Sequence, residues 1–212
     1  MVKDVGLDPN TRLILEAVTN RLLQDGDLDS IAIVDVGCGD GRLLAKLANS
    51  GVQRLAGVGW EVMVPPSALA FQGVDLSQAG WAEIFSGRRY DWVVSTEVIE
   101  HLVNPLQFLF ELRRIVANNG RLLLTFPNVH NLRSLAGYMF SGRFSGFFGP
   151  NFNEHHPVYD QHIFVPNKHL VRYFLKLAGF SVAEVAWVNG SFELTSQTTM
   201  LIAQPCSPIA WT

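Results

Sequence analysis

Two cysteines in 212 residues, Cys38 and Cys206, cannot make a disulfide framework. Cys38 lies between two glycines in what reads as a ligand loop, which argues against both a structural disulfide and a cysteine metal site. No run of Lys or Arg occurs and the formal net charge is −3, so the electrostatic footprint of a general nucleic-acid binder is missing. A nucleic-acid substrate is therefore disfavoured. The first residues carry Lys3, Asp4 and Asp8 and no continuous apolar block, so neither a signal peptide nor a membrane anchor is expected. The default compartment is the cytoplasm. Repeats and low-complexity stretches are also lacking. What is present, 48% hydrophobic and 17% charged residues, suffices to bury one large core, so one domain over residues 1–212 is expected.

Along the chain, Asp8-Pro9 followed by Leu13, Ile14, Val18 and Leu22 predicts a capped helix that ends near Gly26. Residues 31–36 are short, apolar and β-branched, the pattern of a buried parallel strand, and they run into Gly37-Cys-Gly-Asp-Gly41. A helix through Leu43, Leu44 and Leu47 stops at Gly51. Strands are predicted at 54–59, ending near Trp60 and Glu61, and at 68–74, ending at Asp75. Pro65 and Pro66 shorten whatever crosses between them. A fourth strand covers 90–95. Asn104-Pro105 then caps an amphipathic helix through Val116 that stops at Asn119-Gly120, and a fifth strand covers 121–126.

From 128 to 165 the pattern gives way to a Gly-, Phe- and His-rich stretch without clear periodicity, too long for an ordinary connection and read as a functional insertion. A helix through Leu170, Phe174 and Leu177 follows. Two last strands, 180–188 and 198–204, flank Asn189-Gly190 and are expected to pair antiparallel. Short buried strands alternating with helices predict an α/β, doubly wound, mostly parallel sheet of seven strands, with a ligand site at the strand C-termini.

A G-x-G-x-G turn between a buried strand and a helix lets backbone approach a ligand closely, although the same turn can exist with no ligand. Gly41 follows Gly39 by two residues rather than three, which departs from the dinucleotide fingerprint and disfavours a nicotinamide-dependent oxidoreductase. Val34-Asp-Val-Gly-Cys-Gly-Asp-Gly41 resembles the first motif of class I S-adenosylmethionine-dependent methyltransferases. Residues 90–102 resemble that superfamily's fourth-strand motif and 119–128 its fifth-strand motif, in the right order. The resemblance implies a Rossmann-like methyltransferase fold with an antiparallel last strand. It divides the chain into an N-terminal helix (1–29), a cofactor-binding core (30–127), a lid-like acceptor insertion (128–165) and a C-terminal helix with antiparallel strands (166–212).

By position, Gly37, Cys38, Gly39 and Gly41 inherit the loop that cradles the methionine part of the donor, and Asp35 inherits the reach to its amino group through water. The competing reading is that Asp35 ties down its own turn. The superfamily's acid at the end of the second strand is absent, since Gly59 stands there. Glu61, two residues on and one methylene longer, is the candidate for the ribose hydroxyls, against a solvated surface glutamate. Trp60 is placed beside the adenine or in ordinary core. Asp75, with Leu76, matches the adenine-amino position, or else caps a helix. Ser95, Thr96, Glu97 and His101 border the reaction space at the end of the fourth strand, although an acid and a histidine at a helix start can be structural.

Methyl transfer needs an aligned, deprotonated acceptor and exclusion of water, and the insertion is the place to seek it. Its His155, His156 and His162 join His101 as candidates to take the acceptor's proton, and its phenylalanines as cover for a ring or lipid tail. With Asp160 the three insertion histidines suggest a metal site only weakly, and no metal is expected. Phe126-Pro-Asn-Val-His-Asn-Leu-Arg133, Gly142-Arg143 and 160–164 are similar to methyltransferases of the ubiquinone-biosynthesis and MetW-like type. This looser similarity implies O-methylation of a small-molecule, lipid-like or glycan acceptor. A catalytically inactive module that binds S-adenosylmethionine or S-adenosylhomocysteine stays open, as does a homodimer.

Overall fold

The computed structural model describes residues 8–24, 28–60, 70–149, 152 and 161–209. The first helix, α1 (Pro9–Leu23), starts where the Asp8 carboxylate accepts the N–H groups of Asn10 and Thr11 at 3.0 and 3.2 Å, with Pro9 already carrying helical φ. Its buried stripe is Ile14, Leu15, Val18 and Leu22. The stop expected at Gly26 lies outside the described residues.

Seven strands form one sheet: β1 (Ala32–Val36), β2 (Arg54–Gly59), β3 (Ala70–Gly73), β4 (Tyr90–Thr96), β5 (Val116–Pro127), β6 (Phe180–Val188) and β7 (Thr198–Pro205). Their spatial order is β3-β2-β1-β4-β5-β7-β6. β1 pairs in parallel with both β2 and β4, and all five of its residues are buried, which is why it reads as an apolar run broken only by Asp35. β7 runs antiparallel to β5 and to β6, the pairing with β6 being the one the Asn189-Gly190 signal predicted.

The helices α2 (Arg42–Asn49), α3 (Pro105–Ile115) and α5 (Lys168–Leu177) complete the winding. Successive strand residues point to opposite faces. Ile33, Val94, Leu123 and Ile202 pack with Ile14, Val18, Leu43 and Leu47 of α1 and α2. Their neighbours Val34, Val93, Leu122 and Leu124 pack with Phe108, Leu112, Val171 and Leu175 of α3 and α5. The chain winds outward from β1 in both directions, so a crevice opens where β1 and β4 diverge at their C-terminal ends.

Three boundaries differ from the sequence expectation. α3 stops at Ile115, because Val116 adopts φ −74° and ψ 131° and pairs with Tyr90 as a fully buried strand residue. β2 and β3 end at Gly59 and Gly73, before Trp60 and Asp75. The stretch after β5 contains a helix, α4 (Leu132–Ser141), capped by the Asn131 side-chain Oδ1 accepting from Ser134 N–H at 2.8 Å. Ser134 is its one buried residue, while Met139 and Phe140 are 75% and 86% exposed. Among the described residues, no helix is long and apolar enough to cross a membrane.

Candidate active site

The loop after β1 folds back on β2: the N–H groups of Gly37 and Cys38 both donate to the Val58 carbonyl, at 2.7 and 3.1 Å, and Gly41 N–H donates to Cys38 O at 2.8 Å. Gly37 holds φ +85°, and a Cβ there would lie 2.3 Å from Val98 Cγ2, so no other residue fits without displacing the β4 turn. Gly57 admits the loop from the other side, since a Cβ would sit 2.7 Å from Leu44 Cδ1 and 2.9 Å from Cys38 Sγ.

The result is a cleft of about 310 Å³ walled by the loop residues Cys38, Gly39 and Asp40, by Arg42 and Leu43 of α2, by Thr11 and Leu15 of α1, and by Asp35 and Thr96 at the strand ends. The sequence named four of these: Asp35, Cys38, Gly39 and Thr96. It missed Thr11, Leu15, Asp40, Arg42 and Leu43. For Arg42 a signal existed, a cation at the first turn of the loop's own helix, which ion-pairs with Asp40 at 2.5 Å.

Asp35 is 1% exposed and its Oδ1 has no hydrogen-bond partner. Burial pushes its carboxyl up to about 7. The turn's first amides are satisfied by Val58, so the competing role of Asp35 as their anchor is not used at those groups. A buried, unsatisfied carboxylate beside bare loop backbone suits the ammonium and carboxylate of an amino-acid tail, so these residues fit S-adenosylmethionine. Burial also pushes the Cys38 thiol up to about 12, which keeps it protonated and inert.

Beyond Thr96 the chain turns sharply. Glu97 sits in the left-handed region at φ +52°, a conformation costing about 1–2 kcal/mol for a non-glycine residue. Its N–H donates to the carbonyl and hydroxyl oxygens of Thr125 at 3.2 and 3.1 Å, which hold the turn against β5. Glu97 Oε1 is buried without a partner, and burial pushes its carboxyl up to about 7. Ser95 Oγ is likewise buried and unpartnered. Glu100 is wholly buried with neither carboxylate oxygen bonded, and burial raises its carboxyl well above the usual range.

His101 lies beside His162, their rings 4.7 Å apart and nearly perpendicular. His101 Nδ1 is 3.1 Å from the Gln161 carbonyl oxygen. His162 Nδ1 is buried without a partner, and burial lowers that imidazole's pKa. Glu100, His101 and His162 each offer one ligand atom within 4.8 Å of the others, a grouping the sequence did not suggest. Of the histidines considered for a metal there, His155 and His156 fall outside the described residues, as does Glu61. Trp60 is 46% exposed, so it is not core. Asp75 accepts from Ser77 N–H at 2.9 Å and from Gln78 Nε2 at 3.2 Å, a capping role in its own turn, and Leu76 is buried beside it. Neither belongs to the cleft wall.

A parallel sheet reversed at β1 and β4, an antiparallel β7 and a glycine-loop cleft suited to an amino-acid tail give the Rossmann-like fold of class I S-adenosylmethionine-dependent methyltransferases. Residues 10–185 match the family described as "Methyltransferase domain", and the chain belongs to it. It is 30% identical over 122 residues to the ubiquinone biosynthesis O-methyltransferase of Rickettsia typhi, covering 56% of this chain and 48% of that one. The enzyme of the same name from Dinoroseobacter shibae is 26% identical over 141 residues, 64% of this chain and 56% of its own. The chain thus spans about half the length of the curated relatives it matches. Among solved structures, magnesium protoporphyrin IX methyltransferase from Synechocystis PCC 6803 with bound S-adenosylhomocysteine superposes with a TM-score of 0.67 at 21% identity, covering 97% of this chain and 90% of that one.

Proposed function

We propose that this chain moves a methyl group from S-adenosylmethionine to an oxygen of a small-molecule, lipid-like or glycan acceptor, in the cytoplasm. The observation that carries the reading is the buried Asp35 carboxyl, its Oδ1 without a partner, lining one cleft with Cys38, Gly39 and Thr96 at the ends of β1 and β4. The O-methyltransferase relatives support oxygen as the acceptor atom. When bound, the donor supplies an electrophilic methyl on a cationic sulfur. Asp35 and the Gly37-Cys38-Gly39-Asp40-Gly41 loop hold its amino-acid tail. Glu61, Trp60, Asp75 and Leu76 are assigned to the nucleoside by their positions after β2 and β3. Ser95 and Thr96 face the methyl.

Glu97 is assigned the acceptor's proton. A carboxyl raised to about 7 is half ionised at neutral pH, where a base is both present and strong enough to act. Of the histidines expected in that role, His101 and His162 form one unit that holds residues 161–164 in place, while His155 and His156 stay candidates. Residues 128–165 are assigned as the lid, and the exposed Leu132, Met139 and Phe140 of α4 favour an apolar acceptor. A labelled-methyl assay over phenols, lipid-linked quinols and sugars tests the reading. Incorporation should depend on Asp35 and Glu97, and calorimetry should find S-adenosylhomocysteine binding and no NAD binding. Donor binding with no transfer to any acceptor would leave only a regulatory module.

A further inference from the structure

The donor assigned to the cleft is a zwitterion at its amino-acid end, and the charges in the cleft wall come in a matching set. Of the described residues that line it, Asp35 and Asp40 are the acids and Arg42 is the one base. The two acids are not equivalent. Asp35 is buried with its Oδ1 unpartnered, which leaves it for the donor's ammonium. The Asp40 side chain is 51% exposed and already ion-paired, its Oδ2 lying 2.5 Å from Arg42 Nε. Gly41, at φ +78°, turns the chain between the two partners.

A carboxylate that leaves water needs a cation or several hydrogen-bond donors in return. Arg42 is the cation available. Its guanidinium carries five N–H groups in a planar fork that can grip a carboxylate at two points. Arg42 and Leu43 open α2, whose N-cap Gly41 gives the first amides no side-chain acceptor, so this end of the helix also favours an anion.

We propose that the Asp40 side chain is a stand-in for the donor's own carboxylate: on binding, Arg42 moves from Asp40 to that carboxylate, and Arg42 is the residue that makes the chain demand an intact amino-acid end. The proposal rests on the assignment of this cleft to S-adenosylmethionine. The exchange is easy, because Asp40 returns to water from an ion pair that was already open to it, whereas the pair formed with the donor is covered by the donor and bidentate. Two carboxylates cannot share the guanidinium without repelling each other, so Asp40 is a rival through its side chain while its main chain stays part of the loop.

Calorimetry on the full chain compares S-adenosylhomocysteine with S-adenosyl-3-thiopropylamine, the same molecule without its carboxylate. The parent should prefer the first by at least about tenfold. Arg42→Met should bring the two within about threefold by weakening S-adenosylhomocysteine alone, and Arg42→Lys should keep part of the preference. Arg172→Met, which removes an exposed arginine of α5, should match the parent. Asp40→Asn should bind S-adenosylhomocysteine about two- to fivefold more tightly and the amine no more tightly than the parent does. Thermal unfolding shows which variants are folded, and Arg42→Gln replaces Arg42→Met if that one is not. A parent that binds both ligands alike overturns the proposal, as does a folded Arg42→Met or Arg42→Gln chain that keeps the full preference, or an Asp40→Asn chain that binds S-adenosylhomocysteine more weakly. A parent that binds neither ligand refutes the assignment of the cleft itself, and the proposal with it.

Discussion

Removing the charge of Asp35 separates what the carboxylate costs the fold from what it gives the ligand. Its carboxyl is carried from an ordinary 3.8 to about 7 by burial, so the folded chain holds the proton more tightly than the unfolded one. Stability from this group is complete below pH 3.8, is lost as pH rises toward 7, and is flat above. The whole loss is up to about 4 kcal/mol, at about 1.4 kcal/mol for each tenfold change in proton affinity. Asp35→Asn in the ligand-free chain should therefore raise Tm at pH 8, by about 2–4 °C for each kcal/mol regained in a chain of this size, and change little at pH 4. In the same variant the contact to the donor's ammonium is lost. A charged hydrogen bond contributes about 1.5–3 kcal/mol, so S-adenosylhomocysteine should bind about 10- to 150-fold more weakly. In the parent, binding selects the ionised carboxylate, so affinity should be flat above pH 7 and fall by up to about tenfold per pH unit below it. Calorimetry from pH 5.5 to 8.5 in two buffers of different ionisation enthalpy would show the released proton. A variant that binds as well as the parent, or a parent whose affinity ignores pH between 5.5 and 7, refutes the argument.

Glu97→Gln should lower kcat by about 10²–10⁴ with the donor's Kd unchanged, and should abolish the rise in rate through pH 7 that ionisation of Glu97 predicts for the parent. Gly37→Ala should lose donor binding through its φ of +85° and its clash with Val98, and Val98→Ala should restore part of it, as calorimetry would report. Gly59→Asp should fold, since a Cβ there meets Cys38 N at an ordinary 3.4 Å, and should tighten S-adenosylhomocysteine binding if Glu61 serves the ribose incompletely. Phe108→Ala should destabilise the chain by about 3–5 kcal/mol in urea unfolding, because the ring is fully buried between α3 and the sheet.

The parts of the molecule legible in the sequence are those where one residue type answers one local demand. A strand buried on both faces favours apolar residues at successive positions, so residues 31–36, apolar but for Asp35, announce β1 without an alignment. Asp8-Pro9 and Asn104-Pro105 announce the starts of α1 and α3, because the first turn of a helix has amides to cap and no use for the amide that proline lacks. Asn189-Gly190 announces the return between β6 and β7, and both residues do hold positive φ. Asp35 could be singled out because a lone acid in an apolar run has no local reason to be there.

What the sequence hid depends on distance along the chain. α4 gathers Leu132, Leu135, Ala136, Met139 and Phe140 on one face and buries none of them, so its helix rests on the Asn131 cap and on local propensity, and its short period is lost in the irregular stretch around it. Thr11 and Leu15 look like any residues of an amphipathic helix until α1 is laid across the loop 24 residues later. His101 and His162 are 61 residues apart and look like two unrelated histidines. The bonds from Ile163 and Phe164 to the Glu100 carbonyl, with that between His101 Nδ1 and the Gln161 carbonyl, bring them together, and a main-chain partner leaves no mark on residue type. The proposed donor cleft thus rests largely on one contiguous motif, whereas the acceptor side proposed here draws on the β4 turn, the β5 end and residues 128–165. A single mutation in the motif should abolish donor binding in every member of the fold that shares it, while the acceptor side is free to change by alterations in the lid that leave the sheet untouched. Exchanging residues 128–165 for those of a relative should therefore change which acceptor is methylated and leave the affinity for S-adenosylhomocysteine within a fewfold of the parent, and a collapse of donor binding in that chimera would show that the two sides are not separable.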